Sequence, residues 1–224
     1  MSANNPKKPF YKTRVFIFNF VKRSIDICSS ILFLTVFSPL LIVIAILIKL
    51  TSPGPAIFTQ DRVGQGNRQF KMFKFRSMYI GDNDKFLREK YPKLWEKYKK
   101  SDWKLPANED PRITPIGRFI RATSIDETPQ FLNVLRGEMS LVDPRAYRDA
   151  ELNEYAQKYP NATQNIATIR TAKPGITGLW QVSGRNNLAF EQRAELDARY
   201  IKNRSLRQEL LIILKTPFVM LSIW

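Results

Sequence analysis

The longest uninterrupted apolar run decides the chain's surroundings before any chemistry is considered. From Ile27 to Ile48 it reads ICSSILFLTVFSPLLIVIAILI, without one charged residue. At 1.5 Å per helical residue such a run covers about 30 Å of hydrocarbon, so it belongs in a membrane. A cleaved leader fits poorly: the run starts late, exceeds a usual leader core, and ends in Ile48-Lys49-Leu50 rather than at a small-residue cleavage site. Ser38-Pro39 falls near its middle. Proline there removes a backbone donor and crowds the preceding turn, so a kink is expected. Lys7, Lys8, Lys12, Arg14, Lys22 and Arg23 precede the run with no acidic residue among them, which marks a cytoplasmic flank. The chain after it is basic too. With both flanks positive, a helix that enters at Arg23, breaks at Pro39 and returns to the same face fits as well as one that crosses.

Beyond the run the pattern shortens. Residues 55–79 alternate short apolar and polar stretches around Gly64-Gln65-Gly66-Asn67, which predicts a hairpin, Ala56 to Val63 returning as Arg68 to Met78. Helical spacing follows at about 82–100 (restarting at Pro92), 125–136, 148–159 and 190–203, with proline- and glycine-rich connections at 106–117 and 173–187. The stripe Leu87, Tyr91, Leu94, Trp95 and Tyr98 reads as ordinary core packing. The last stretch, Glu209 to Trp224, is apolar but interrupted by Lys215 and Pro217 and too short to span, so it reads as an interfacial cap. The expected fold is α+β and mostly helical: a small hairpin plus helices docked on a membrane helix, with amphipathic interfacial helices. Its parts are a basic segment 1–22, the membrane helix 23–50, a catalytic body 51–208 and the C-terminal segment 209–224.

Composition narrows the chemistry. The chain of 224 residues carries a formal charge of +16, which predicts attraction to polyanions such as nucleic acid, anionic head groups or phosphorylated small molecules. It has no histidine, the commonest general base and metal ligand. Its single cysteine, Cys28, rules out an internal disulfide and a multi-cysteine zinc site. Carboxylates become the leading candidates for catalysis.

One carboxylate pair stands out. In Arg121-Ala-Thr-Ser-Ile-Asp-Glu-Thr-Pro-Gln-Phe-Leu-Asn-Val-Leu-Arg-Gly137, Ser124 and Glu127 have capping-box spacing, and Gly137 closes the helix. Asp126 and Glu127 could simply be first-turn acids that complement the helix dipole. An aspartate at a helix N-terminus also stays ionised at neutral pH, as a carboxylate nucleophile must. Attack on phosphorus then brings two anions together, and a divalent cation with several fixed positive groups is needed to make the encounter tolerable. Lys74 and Arg76 in the hairpin, Arg121 before the pair, Arg145 after the helix and Arg185 in Val-Ser-Gly-Arg-Asn are the candidates.

These segments together resemble a known family. Lys22-Arg23-x-x-Asp26 ahead of the Ser38-Pro39 run, Phe73-Lys74-Phe75-Arg76-Ser77-Met78, Ser124-Ile125-Asp126-Glu127, Asn133-Val134-Leu135-Arg136-Gly137-Glu138-Met139-Ser140, Lys173 to Asn186 and Glu195-Leu196-Asp197 to Asn203 are similar, in order, to the monotopic phosphoglycosyl transferases, or bacterial sugar transferases. The resemblance implies a re-entrant helix broken at Ser38-Pro39 on the cytoplasmic face of the bacterial inner membrane. It further implies a two-step reaction. Asp126 attacks the sugar-linked phosphorus of a UDP-sugar and releases UMP; polyprenyl (undecaprenyl) phosphate then takes the phosphosugar, opening glycoconjugate assembly. Glu127 helps hold Mg2+, with Asp126, or assists the acceptor, while Lys74, Arg76, Arg121, Arg145 and Arg185 contact phosphates or nucleotide.

Leu141-Val142-Asp143-Pro144-Arg145-Ala146 departs from the family's Val-Gly-Pro-Arg-Pro, with Asp143 in the glycine position and Ala146 in that of the second proline. Aspartate tolerates positive φ, so the turn can survive, but a negative charge is added beside a site built for phosphates. Asp143 is expected either to lower activity or to pair with Arg145. Two other readings compete: a catalytically weakened scaffold of the same fold, hinted at by Asp143, and a membrane-tethered polyanion binder, although no nucleic-acid-binding motif is found and no nucleic-acid partner is expected. No spanning segment precedes residue 20, so a minimal family member is expected. The sugar, the final glycoconjugate and the oligomeric state, a homodimer included, stay open.

Overall fold

The computed structural model describes residues 7–101 and 105–221. The first helix, α1 (Lys7–Thr51), is far longer than the membrane segment alone, because the basic flank from Lys7 onward is helical as well. It runs through Pro39 as one helix. Phe20, Leu32, Val36, Leu40, Ile42, Val43, Ile46 and Leu50 on it are exposed, and it is long and apolar enough to cross a membrane.

The chain divides into two compact units, and both α1 and the hairpin pass from one to the other. In α1 the division falls between Thr35 and Val36, just ahead of Ser38-Pro39. One unit comprises residues 36–60 and 71–130. Its core gathers Ile44 and Ile48 of α1, Ala56, Phe75 and Ile120, edged by Leu41, Ala45, Ile116 and Ile125. The expected hairpin is present as β1 (Ile57–Val63) and β2 (Gln69–Phe75), joined through a 3-10 turn in which Gly66 takes φ 68°. The predicted 82–100 segment is two helices, α2 (Asn83–Lys90) and α3 (Pro92–Lys100), and Pro92 does restart it. Of the stripe expected in the core only Leu87 is buried; no residue of α3 is, Leu94, Trp95 and Tyr98 being half-buried, the last under the Arg112 guanidinium, and Tyr91 is exposed. The proline-rich stretch expected to be a connection instead contains α4 (Pro115–Ala122), started by Pro115 at its first turn and capped by the Thr114 hydroxyl on Gly117 N–H, 2.9 Å.

The other unit comprises residues up to Thr35, 61–70 and 131–219. Helices α6 (Asp149–Lys158) and α9 (Phe190–Asn203) lie where spacing predicted. Between them α7 (Thr163–Ile169), β4 (Gly175–Thr177) and α8 (Leu179–Ser183), and ahead of them β3 (Ser140–Val142), the parallel partner of β4, were not anticipated. Each is too short for periodicity to declare itself. Helix α5 (Gln130–Leu135) ends at Gly137, which takes φ 79° as a helix-closing glycine does. The C-terminal helix α10 (Leu206–Leu221) begins earlier than expected and turns Leu206, Leu210, Leu211, Leu214 and Phe218 outward; residues 222–224 of the predicted cap lie outside the described residues.

Candidate active site

Asp126 and Glu127 sit in a single 3-10 turn, Ile125–Glu127, rather than in the first turn of an α-helix. Ser124 before them adopts left-handed φ 56° and its side chain caps nothing, so the expected capping box is not formed. The backbone does that work instead: Glu127 N–H donates to Ser124 O at 3.2 Å and Thr128 N–H to Ile125 O at 3.1 Å. Ile125 plugs into the core beside Ile120, and the Thr128 hydroxyl returns to Ile125 O at 2.8 Å. The pair is thus fixed at both ends of a tight turn.

Lys74 reaches this turn from β2, its Nζ 2.5 Å from Glu127 Oε1, with both side chains partly open to solvent. Arg121, in the last turn of α4, adds a second positive field at Asp126. Burial pushes the Asp126 carboxyl up to about 6, Lys74 pulls it down, Glu127 raises it and Arg121 lowers it. At pH 7 the group is therefore still predominantly ionised, as expected, though more basic than a surface aspartate. Within this unit, then, four predicted residues converge: two carboxylates and two cations.

The other predicted cations are engaged elsewhere. Arg76 is buried, with its guanidinium donating to Pro53 O, to Ser52 O at 2.8 Å and to Ile48 O at 3.4 Å. It holds the end of α1 instead of facing a phosphate, because the last carbonyls of a helix need donors and Ile48 O, with Ser52 O and Pro53 O just beyond, receives one from this buried guanidinium. In the other unit, Arg145 lines a small hollow with Gly64, Pro144, Tyr147, Arg170 and Lys173. Arg185, in left-handed φ 49°, donates to Val219 O of α10 at 2.6 Å.

Asp143 pairs with neither Arg145 nor solvent. It is 2% exposed, its backbone does not take positive φ, and its carboxylate lies 3.8 Å from Lys22 Nζ. Lys22 is already spent on Glu209 of α10, 2.6 Å, and on Val142 O, 2.7 Å. Tyr200 donates its hydroxyl to Val142 O at 3.1 Å and also touches Glu209. Asp143 Oδ1 has no hydrogen-bond partner, and burial raises the carboxyl to about 7, with Lys22 only partly opposing and Glu209 adding to the rise. Lys22 and Glu209 were not among the sequence candidates for this unit's interior; a basic residue five positions before an apolar run carries no signal of a partner 187 residues away.

Magnesium accepts hard oxygen donors and usually takes only one or two carboxylates, completing its shell with water and substrate phosphates. The adjacent Asp126 and Glu127 fit that pattern. Among the described residues no group of three or more acidic or thiol side chains is gathered into a closed cage.

Residues 17–223 match the model of the bacterial sugar transferase family. The chain is 42% identical over 212 residues to an undecaprenyl-phosphate galactose phosphotransferase of Salmonella typhimurium, covering 90% of this chain and 40% of that protein. Against the UDP-glucose:undecaprenyl-phosphate glucose-1-phosphate transferase of Escherichia coli it is 36% identical over 219 residues, 95% of this chain and 43% of the other. Against the exopolysaccharide production protein ExoY of Rhizobium meliloti it is 38% identical over 205 residues, with 90% and 86% covered. The chain thus spans about two fifths of the length of the first two relatives and most of the third. Matched by that family's model over residues 17–223 and 36–42% identical to such relatives over 90–95% of its length, the chain belongs to the bacterial sugar transferase family.

Proposed function

We propose that the chain transfers a sugar 1-phosphate from a UDP-sugar to polyprenyl phosphate, through a covalent phosphosugar on Asp126. The observation that carries this is the Asp126–Glu127 turn with Lys74 and Arg121 beside it. A raised pKa makes Asp126 a stronger nucleophile than an ordinary aspartate while leaving it ionised at neutral pH. Its carboxylate attacks the sugar-linked phosphorus; the bond from that phosphorus to the bridging oxygen breaks, and UMP leaves with the electron pair. A phosphate oxygen of the acceptor then attacks the same phosphorus and returns Asp126 as carboxylate, leaving a polyprenyl diphosphosugar. Lys74 and Arg121 lower the repulsion between carboxylate and diphosphate. Glu127, in reach of the same turn, would hold magnesium together with Asp126. Bound there, the ion would neutralise charge that develops on the diphosphate oxygens.

For the membrane geometry we favour the re-entrant arrangement on the cytoplasmic face. Its support is the basic chain on both sides of the apolar run, the proline inside α1 and the outward apolar faces of α1 and α10. One leaflet then carries the whole protein, so a lipid phosphate and a soluble nucleotide sugar meet at head-group level. Of the three relatives described above, two have names that state an undecaprenyl-phosphate activity, one with galactose and one with UDP-glucose, so a UDP-hexose is the first donor to test.

The test is UMP release from nanodisc-embedded protein given magnesium, undecaprenyl phosphate and a panel of UDP-sugars, with Asp126→Asn beside wild type. Transfer is expected to fall by about a thousandfold or more in the variant. Intact-mass measurement on wild type without acceptor is expected to reveal one added phosphosugar. Full turnover by Asp126→Asn would sink the covalent reading.

A further inference from the structure

Three cationic side chains of the unit built from residues up to Thr35, 61–70 and 131–219, Lys22 and Arg23 ahead of the apolar run and Lys173 before β4, have different fates. Lys22 is consumed by Glu209, Val142 O and Asp143. Arg23 is held rigid by the end of α5: its Nη1 donates to Val134 O at 2.7 Å and its Nη2 to Leu135 O at 3.0 Å. Neither bond neutralises it, and a guanidinium with five N–H groups keeps donors to spare. Lys173, half-buried before β4, makes no hydrogen bond or ion pair among the described residues. Its pKa is lowered, first by burial and then by Arg23. Two carboxylates pull the other way: Asp26, which also accepts from Ser140 Oγ at 2.9 Å and Leu141 N–H at 3.0 Å, and Asp143, which faces Lys22.

Gly137 lies between the two free charges. A side-chain carbon there would stand 3.7 Å from Arg23 Nη2 and 3.9 Å from Lys173 Nζ, yet the position has none, and its φ of 79° suits glycine. Two like charges are therefore held on either side of one uncovered, partly open spot, where burial and Arg23 outweigh the opposing pull of Asp26 and Asp143 on Lys173, so a further anion there would be favourable. Arg23 lies four residues before Ile27, the first residue of the uncharged run; four helical residues are about 6 Å, which is head-group depth.

We propose that Arg23, Lys173 and the bare surface of Gly137 form a binding site for the phosphate of a membrane lipid. A tetrahedral phosphate oxygen pair suits a fixed guanidinium on one side and a mobile ammonium on the other, and the lipid's chains run down beside the exposed apolar face of α1. The inference rests on α1 lying in a bilayer, as argued above. The phosphate is either that of an anionic phospholipid or that of the polyprenyl acceptor.

The test uses the full chain as wild type, Lys173→Gln and Lys173→Arg, in nanodiscs of phosphatidylcholine with and without phosphatidylglycerol. Native mass spectrometry reads retained phosphatidylglycerol and retained polyprenyl phosphate, and kinetics read KM for each substrate. Lys173→Gln is expected to lower retention of a lipid phosphate by about tenfold, the loss of one charge-assisted bond, while Lys173→Arg stays within about twofold of wild type. A rise in acceptor KM with the UDP-sugar KM unchanged assigns the site to the polyprenyl phosphate. A loss confined to phosphatidylglycerol assigns it to a structural phospholipid. Equal retention of both lipids by wild type and Lys173→Gln overturns the proposal, as does complete displacement of both by millimolar inorganic phosphate. Lys173-dependent retention in a protein that transfers nothing would leave this site standing and remove the transferase reading.

Discussion

At the scale of single residues, two carboxylates with raised pKa values face opposite tasks. Asp126 is surrounded by cations that keep its charge usable, and Lys74 is the nearer support through its contact with Glu127. Removing it leaves two adjacent carboxylates facing a diphosphate with Arg121 alone. Lys74→Ala is expected to lower kcat by about a hundredfold, the scale of one lost electrostatic stabiliser. A drop of less than threefold in initial UMP release would show that Lys74 serves only Glu127's position. Asp143, by contrast, is pushed toward its protonated form by burial, which Lys22, already paired with Glu209, opposes only in part. In the unfolded chain an aspartate ionises near 3.9, in the fold near 7. Between those values the native state binds more protons, so the stability Asp143 contributes is complete below pH 4 and lost as pH rises through 7. Asp143→Asn keeps the shape and removes the titration. Its stability relative to wild type should therefore improve from pH 5 to pH 8, by on the order of a few kcal/mol. Thermal unfolding of both proteins across that range checks it, and parallel curves would refute it.

At the scale of elements, the strong signals were legible and the short ones were not. The apolar run, the hairpin turn at Gly64-Gln65-Gly66-Asn67, the restart at Pro92 and the α6 and α9 segments all announce themselves by spacing or by a breaker. The β3–β4 pair could not: Ser140–Val142 and Gly175–Thr177 are three residues each, far apart in sequence, and their pairing exists only in the fold. The carboxylate pair was legible by type and neighbourhood, but its backbone was misread. Ser124 and Glu127 have the spacing of a capping box, yet Ser124 in the left-handed region cannot aim its hydroxyl at the following turn. Ser124→Ala should accordingly change stability by less than about 0.5 kcal/mol, where a true cap would cost about 1 kcal/mol. Arg76 was misjudged in the other direction. Its neighbours in sequence suit a phosphate contact, but the end of α1 takes its donors. Arg76→Ala should destabilise the protein by about 2–4 kcal/mol in denaturant unfolding, since buried carbonyls lose their partner.

At the scale of the whole molecule, the question is on which side of the bilayer each part lies. Cysteines placed at Thr13 and at Thr51, in a Cys28→Ser background, flank the apolar run. Labelling of both by an impermeant maleimide from the cytoplasmic side of inverted vesicles is expected for a re-entrant helix; labelling from opposite sides would establish a crossing one. The Lys22–Glu209 bond bears on how such a protein comes into being. Its two ends are separated by 187 residues. At about 5–20 residues per second of synthesis, Lys22 waits on the order of ten seconds or more after it is made before its carboxylate emerges. Throughout that interval an unpaired ammonium stands at the mouth of the apolar segment, where head-group phosphates are its natural temporary companions. A bilayer around α1 would therefore serve as a holding surface for the nascent chain until α10 arrives and its Glu209 ties the N-terminal helix to the rest of its unit.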